Sequence, residues 1–185
     1  MIFRNDDINP NVRLEIVDRY YDIIHSLFPN SEIISCVTLM AKQNYKGSIY
    51  PKTPFKDNNL EFFYDVDSFV REVHTYPNTQ IASHGLFHID CTKLDYQSQE
   101  MNIVSSCNYL KTKMFVPPFN KYNQDTEAVC YKHGITLVKP ESWKSLEHEP
   151  FDMEHQNWYF HSWRLTPEKL RNILSGNAKA HSQRQ

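Results

Sequence analysis

The stretch EIISCVTLMA, residues 32–41, decides what kind of fold this chain can adopt. It is apolar over most of its length and lacks the polar–apolar alternation of a strand with one face in water. A strand that is buried on both faces of a parallel sheet has such a continuous apolar run. The stretch therefore predicts an interior strand of a parallel sheet.

On both sides of this strand, strand patterns alternate with helix patterns. Further strands are predicted at residues 1–7, 79–84, 113–118, 135–140 and 157–163. Helices are predicted at residues 9–28, 65–76, 95–111, 123–134 and 166–176, the last of them closed by Gly176. The remaining long segments are predicted to be a candidate lid loop at 42–60 and a solvated acidic loop at 141–155. Strands joined by helical crossovers predict an α/β protein with a parallel sheet, open or closed into a barrel.

Composition and charge exclude several classes of protein. The chain has 185 residues, a formal net charge of −2 and no run of lysines and arginines, so we expect no nucleic acid partner. Its four glycines are scattered, which excludes a glycine-rich phosphate-binding loop. No apolar stretch is long enough to cross a membrane, and the N-terminal residues lack the apolar core of a signal peptide. Together with four cysteines that form no CxxC pair and are interpreted as reduced core thiols, these features predict a cytoplasmic protein.

Polar side chains that can bind a metal ion or transfer a proton cluster where the predicted strands end. The first strand ends at Asp6 and Asp7, the 79–84 strand runs into His84 with His88 close behind, and the last strand carries His161. In parallel sheets, the carboxyl ends of the strands share one face, and ligands bind there. We therefore expect these side chains to converge on one site.

Two neutral imidazoles and one carboxylate form a ligand set for zinc or a similar divalent ion. His84 and His88 can point at one ion if residues 84–88 form a helical turn. One of the two aspartates would ligate the ion. Its neighbour, on the opposite side of an extended chain, would be free to act as a base.

Four motifs, in this order, resemble those of the polysaccharide deacetylase family, the carbohydrate esterases of family 4. They are FRNDD at 3–7, SHGLFH at 83–88, FVPPFN at 115–120 and FHSW at 160–163. The resemblance implies a distorted (β/α) barrel of about six to seven mostly parallel strands. It also implies an enzyme that removes acetyl groups from sugars. Because the motifs span nearly the whole chain, we expect a single catalytic domain at 1–176, followed by a frayed tail at 177–185.

The resemblance also implies roles for individual residues and a cofactor. These roles are general base for Asp6, general acid for His161, metal ligands for Asp7, His84 and His88, and oxyanion or groove residues for Pro118, Phe119 and Trp143. The backbone N–H of Phe119 would help to hold the oxyanion. The implied cofactor is a divalent metal ion, Zn²⁺ with Co²⁺ or Ni²⁺ as alternatives, and the implied substrate is an acetylated saccharide or a related small amide.

Two positions depart from the family pattern. Val116 stands where the family usually has an arginine that orients the catalytic aspartate, and Asn120 stands where it commonly has glycine. We expect the loss of that arginine to slow the reaction unless Arg4, Lys121 or Lys139 substitutes for it. The alternatives are a non-catalytic sugar-binding barrel, another metal-dependent amide or ester hydrolase on the same scaffold, and a metal-free α/β protein.

Overall fold

Within the residues that the structure describes, seven parallel strands form one curled sheet. The structure, a computed structural model, describes residues 1–10, 12–39 and 65–182, with side chains up to residue 176. In chain order the strands are β1 (Ile2–Ile8), β2 (Glu32–Val37), β3 (Thr79–Ser83), β4 (Met114–Phe115), β5 (Thr136–Leu137), β6 (Lys144–Ser145) and β7 (Asn157–His161). Their order across the sheet is β5-β4-β3-β2-β1-β7-β6, and every neighbouring pair is parallel. The sheet curls into a half-barrel, which confirms the predicted distorted (β/α) barrel.

The described ranges also contain five α-helices beside the sheet. They are α1 (Leu14–Leu27), α2 (Val66–Val73), α3 (Tyr96–Tyr109), α4 (Gln124–Lys132) and α5 (Pro167–Ser182). Short 3₁₀ turns occupy Cys91–Lys93, Pro118–Asn120 and Pro140–Ser142. The predicted frame of the fourth helix is confirmed, because Asn123 and Thr126 form a reciprocal capping box and Gly134 ends the helix with φ +62°.

The interior position of the EIISCV strand is confirmed by burial on both of its faces. Ile33 belongs to the core that the sheet shares with α1 and α5, whereas Ile34 and Cys36 face the inner cluster with Val116. All four cysteines are free and buried, as the sequence predicted. Within the described residues, no helix combines the length and the apolar character that a membrane crossing requires.

Three expectations about the elements need correction. The acidic stretch 141–155 is not a purely solvated loop, because it contains β6 and the buried side chains of Leu146 and Phe151. Gly176 does not end the last helix. The helix α5 continues to Ser182, because glycine is tolerated inside a helix and the alanines that follow favour one. The predicted strands at 113–118 and 135–140 are paired only at Met114–Phe115 and Thr136–Leu137.

Two expectations lie wholly or partly beyond the described residues. The predicted lid loop at 42–60 is outside them. The frayed tail stays a prediction, and residues 183–185 are also outside them.

Candidate metal centre and active site

A small cavity of about 120 Å³ opens at the carboxyl ends of the central strands. The residues that line it are Asp6, Asp7, His84, His88, Phe119, Asn120, His161, Trp163 and Arg164. The predicted convergence of the strand ends is therefore seen in the structure. Larger cavities open near the amino end of β3, around Thr79 and Gln80, where the described lining holds no carboxylate–imidazole cluster.

A bulge in β1 brings both aspartates into this cavity. The pairing of β1 with β2 is regular from Ile2 to Asn5 and shifts before Ile8, and Asp7 has φ +66°. A non-glycine residue in this region costs roughly 1–2 kcal/mol. The side-chain amide of Asn9 donates to the Asp7 carbonyl at 2.8 Å and supports the turn. The expectation that the two carboxylates lie on opposite sides of an extended chain is therefore wrong, because the bulge re-aims Asp7.

The two histidines meet without a helical turn. Residues 84–88 are irregular, and Gly85 has φ +91°. The Gly85 N–H donates to Ser83 Oγ at 3.1 Å, and the Phe87 N–H donates to the side chain of Asn102 at 2.7 Å. This tight loop places the two imidazole rings with their centroids 5.0 Å apart. The helical-turn condition was thus wrong, although the two rings do converge.

Asp7, His84 and His88 form a cluster that could hold a metal ion. All three side chains are buried, and one potential ligand atom from each lies within 4.8 Å of the other two. Asp7 Oδ1 is 2.8 Å from His88 Nε2 and 3.4 Å from His84 Nε2. Within the described part of the chain, this is the only such group of three or more histidines, cysteines and acids.

The hydrogen bonding of these side chains fits a cation. His84 Nδ1 lies 2.8 Å from the Val116 carbonyl, which can only accept, so the proton is on Nδ1 and Nε2 presents its lone pair. Among the described atoms, neither Asp7 Oδ1 nor His88 Nδ1 has a hydrogen-bond partner with good geometry. A buried carboxylate oxygen without such a partner, between two imidazole nitrogens, is suited to a divalent ion.

Asp7 is held in its charged form. Burial alone would raise the pKa of its carboxyl, but the adjacent imidazoles of His84 and His88 lower that pKa well below its usual range. The Trp163 indole N–H donates to Asp7 Oδ2 at 3.1 Å, which leaves Oδ1 facing the imidazoles. The indole contact therefore orients the carboxylate toward the two imidazoles.

Asp6, the predicted base, is paired with Arg4 inside the half-barrel. Arg4 Nε lies 2.9 Å from Asp6 Oδ1, and Arg4 Nη2 donates to Asp6 Oδ2 at 2.9 Å. The other two candidate cations are engaged elsewhere, since Lys121 pairs with an aspartate at position 90 and Lys139 with a glutamate at position 127. Of the three, Arg4 is thus the cation that contacts Asp6.

The segment after the proline pair forms one wall of the cavity. Phe119 and Asn120 both adopt left-handed backbone conformations, with φ +60° and +56°. The Phe119 ring is 40% exposed and lies 4.5 Å, between centroids, from the ring of His88. Pro118 is buried behind this wall and is not among the lining residues.

His161, the predicted acid, sits opposite that wall and has a carboxylate partner that the sequence did not reveal. Its Nδ1 lies 2.6 Å from Glu147 Oε1, and its Nε2 points toward Asp7 Oδ2 at 3.7 Å. Burial alone would lower the pKa of His161, but the hydrogen bond to Glu147 and the nearby carboxylates raise it. The imidazolium is therefore favoured, with Nδ1–H donating to Glu147 and Nε2–H facing the cavity.

Sequence reasoning missed Glu147 because β6 was missed. Glu147 follows β6 in the stretch predicted to be a solvated loop, yet its side chain is only 5% exposed. An acid shortly after a paired strand would have been a signal, had the LysSer pair of β6 been identified. Trp143, predicted as a groove residue, lies instead over the Arg4 guanidinium at 4.9 Å and does not line the cavity.

Comparison with known proteins finds similarity in structure alone. No family model matches the chain, and no curated protein sequence matches it. A family 4 carbohydrate esterase from Streptomyces lividans in complex with acetate superposes with a TM-score of 0.57 at 14% identity, over 98% of this chain and 86% of that one. The peptidoglycan deacetylase PdaC from Bacillus subtilis gives 0.60 at 10% identity, over 97% and 83% of the two chains.

A third similar structure is a family 4 pseudoenzyme from Bacillus anthracis, with a TM-score of 0.61 and 12% identity. The match covers 98% of this chain and 61% of the pseudoenzyme. The structural neighbours thus include a family 4 carbohydrate esterase, a peptidoglycan deacetylase and a family 4 pseudoenzyme. The chain has the fold of the family 4 carbohydrate esterases, as its four motifs predicted.

Proposed function

We propose that this protein is a metal-dependent hydrolase that removes the acetyl group from an N-acetylated sugar or a related small amide. The observation that carries the proposal is the convergence of three buried potential ligands with Asp6 and His161 on one cavity. A carboxylate base, an imidazolium acid and a cation site within one small cavity are the parts that amide hydrolysis needs.

The roles of the residues follow from their contacts. Asp7, His84 and His88 would hold a divalent ion, which supplies a Lewis acid that lowers the pKa of water and polarises a carbonyl group. Asp6 accepts a proton from the attacking water as the new C–O bond forms at the acetyl carbon. His161 then protonates the departing nitrogen as the C–N bond breaks, so that acetate and a free amine leave.

The oxyanion that develops in this reaction needs hydrogen-bond donors beside the ion. The Phe119 backbone N–H is the proposed donor, because its residue lines the cavity next to His88. Zn²⁺ is the proposed ion, since two imidazoles and one carboxylate are among its usual ligands, and Co²⁺ and Ni²⁺ are the alternatives.

The size of the cavity supports a small acyl group at the reacting centre. At about 120 Å³ it accommodates an acetamido group better than a whole sugar chain. The sugar would then lie at the mouth, beside the exposed ring of Phe119 and the indole of Trp163. The neighbours support this substrate class, since one is a peptidoglycan N-acetylglucosamine deacetylase.

The test is acetate release by chelator-stripped protein to which Zn²⁺, Co²⁺ or Ni²⁺ is returned. N-acetylglucosamine oligomers and acetylated nucleotide sugars are the substrates. We expect activity that depends on the ion, and an Asp6→Asn variant that keeps the ion but loses turnover by about 10²–10⁴-fold. A fully loaded wild-type protein that releases no acetate, or an Asp6→Asn variant as active as wild type, would overturn the proposal.

A sugar-binding protein without turnover is the second candidate. It is favoured by the pseudoenzyme among the structural neighbours and by Val116 at the position of the family arginine. The Arg4–Asp6 pair weighs against it, because Arg4, two residues before Asp6 on the same strand, gives the base a cation. Saccharide binding by calorimetry without acetate release from the loaded protein would favour this candidate.

We further propose that residues 1–176 act as one catalytic domain and that the protein works in the cytoplasm. Four free, buried cysteines suit a reducing compartment. Recovery of the native protein in the soluble cytoplasmic fraction is the expected result of cell fractionation, and recovery outside the cell would contradict it.

A further inference from the structure

Among the described residues, Arg4 is the largest charged side chain that is completely buried. It is 0% exposed, and its guanidinium lies over the rings of Trp143 and Tyr159, at 4.9 Å from each centroid. An arginine without solvent is costly unless its charge and its N–H groups are matched by partners. The partners that it does have are therefore informative about its role.

The guanidinium meets Asp6 through two nitrogens. Arg4 Nη2 donates to Asp6 Oδ2 at 2.9 Å, and Arg4 Nε lies 2.9 Å from Asp6 Oδ1 without the alignment of a good hydrogen bond. A contact through two nitrogens restricts the orientation of a carboxylate as well as its position, and the single ammonium of a lysine does this less well. The aromatic rings in turn restrict the guanidinium itself.

The same Nη2 also reaches the opposite wall of the cavity. It donates to Asn120 Oδ1 at 2.7 Å, across a separation of 116 residues in sequence. Asn120 is the second of two consecutive residues with positive φ, the first being Phe119. Backbone strain of this kind persists only where the surrounding structure stabilises it. The hydrogen bond from Arg4 to Asn120 is one such stabilising contact, and it tethers this segment to β1.

We propose that Arg4 is a positioning residue that ties the base Asp6 to the Phe119–Asn120 wall, so that both are held in one fixed geometry. This inference rests on the proposed function, because it assigns Asp6 and the Phe119 N–H to the reaction. The unusual Asn120 is then explained as the acceptor for Arg4, a contact that glycine could not make.

A purely structural ion pair is the competing explanation, and a double-mutant cycle separates the two. Asn120→Gly removes the acceptor but keeps a residue that accepts positive φ. Arg4→Met removes the guanidinium and fills part of its volume. If Asn120 acts through Arg4, the loss caused by Asn120→Gly should disappear when Arg4 is already absent.

The expected kinetic results are specific for each variant. Arg4→Met should lower kcat/KM about 100-fold, mainly through kcat, because a misplaced base costs rate rather than binding. Asn120→Gly should lower it about tenfold, the value of one charge-assisted hydrogen bond. The double variant should match Arg4→Met within about twofold, since the two changes break one shared contact. Arg4→Lys should fall between wild type and Arg4→Met.

Two controls make the result interpretable. Arg71→Met removes an exposed arginine on α2 that bonds to Ser68, and it should leave kcat/KM unchanged. Binding of Co²⁺ to apo protein, followed by its visible absorption, should be the same in Arg4→Met as in wild type, because Arg4 contacts none of the three ligands. Loss of Co²⁺ binding in Arg4→Met would mean that the variant disturbs the whole site and would overturn the proposal.

A readout without turnover separates this proposal from the proposed function. In the proton–nitrogen NMR spectrum, the Arg4 Nε–H of a buried pair should exchange slowly with water and should shift in Asn120→Gly and in Asp6→Asn. If wild-type protein shows this signal but releases no acetate, the proposed deacetylase function is refuted, whereas the proposed positioning role of Arg4 is not. Rapid exchange of this proton, fully additive kinetic losses, or an Arg4→Met variant with wild-type kcat would overturn the tether.

Discussion

Replacement of Gly85 by alanine tests the loop that brings the two histidines together. A Cβ at this position would lie 2.6 Å from the Phe87 carbonyl oxygen and 2.9 Å from Asn102 Nδ2. The backbone at φ +91° adds strain for any residue with a side chain. The positive φ costs roughly 1–2 kcal/mol and the overpacking roughly 1–3 kcal/mol, so we expect a loss of about 2–5 kcal/mol in the free energy of unfolding.

The other glycines of the described chain provide matched controls. Gly134 has φ +62° but nothing within 4 Å of its Cβ position, so Gly134→Ala should cost about 1–2 kcal/mol, the strain alone. Gly176 lies in α5 with open space around it, so Gly176→Ala should stabilise the protein by about 1 kcal/mol. Urea unfolding of the three variants without metal measures their free energies of unfolding and shows whether they fall in this order.

The same substitution should weaken the metal site although it removes no ligand. The Phe87 carbonyl must move to admit the Cβ, and His84 and His88 flank that segment. We expect Co²⁺ affinity to fall about 10–100-fold in Gly85→Ala, as for other changes that disturb ligand orientation, and to be unchanged in the two controls. A Gly85→Ala variant as stable as Gly134→Ala, with wild-type Co²⁺ affinity, would refute the described packing of this loop.

Three further predictions concern side chains around the site. Because Glu147 raises the pKa of His161, the imidazolium acid persists to higher pH, and Glu147→Gln should move the alkaline limb of the kcat pH profile to lower pH; an unmoved limb would contradict the pairing. Trp163→Phe removes the N–H that holds Asp7 Oδ2 and should weaken Co²⁺ binding about 10–100-fold in calorimetry, whereas unchanged affinity would show that the indole does not orient the ligand. Burial raises the pKa of the Cys91 thiol to about 12, so iodoacetamide at neutral pH should label it only after unfolding, and rapid labelling of the native protein would contradict its burial.

The fold could be predicted from the sequence wherever one physical signal dominated. The apolar run at 32–41 identified an interior strand, and the alternation of strand and helix patterns implied parallel pairing. Short edge strands such as β6 gave no such signal, since two paired residues carry no periodicity. The prediction that Gly176 ends the last helix was wrong because a glycine near the end of a helical pattern ends a helix only if the tertiary structure allows it.

The candidate site was predictable as a set of residues but not as a geometry. The positions of Asp7, His84 and His88 after predicted strands were enough to expect convergence. The bulge at Asp7 could not be foreseen, because the positive φ falls on an aspartate and not on a glycine. Glu147 could not be identified either, because an acidic residue in a charged stretch is expected to be solvated. Only its contact with His161 in the fold shows that it is buried.

Metal content together with anomalous scattering from a crystal of the loaded protein tests the central claim most directly. We expect a single divalent ion per chain, bonded to Asp7 Oδ1 and to the Nε2 atoms of His84 and His88. An ion bound elsewhere, or these three side chains pointing away from each other in the crystal, would contradict it.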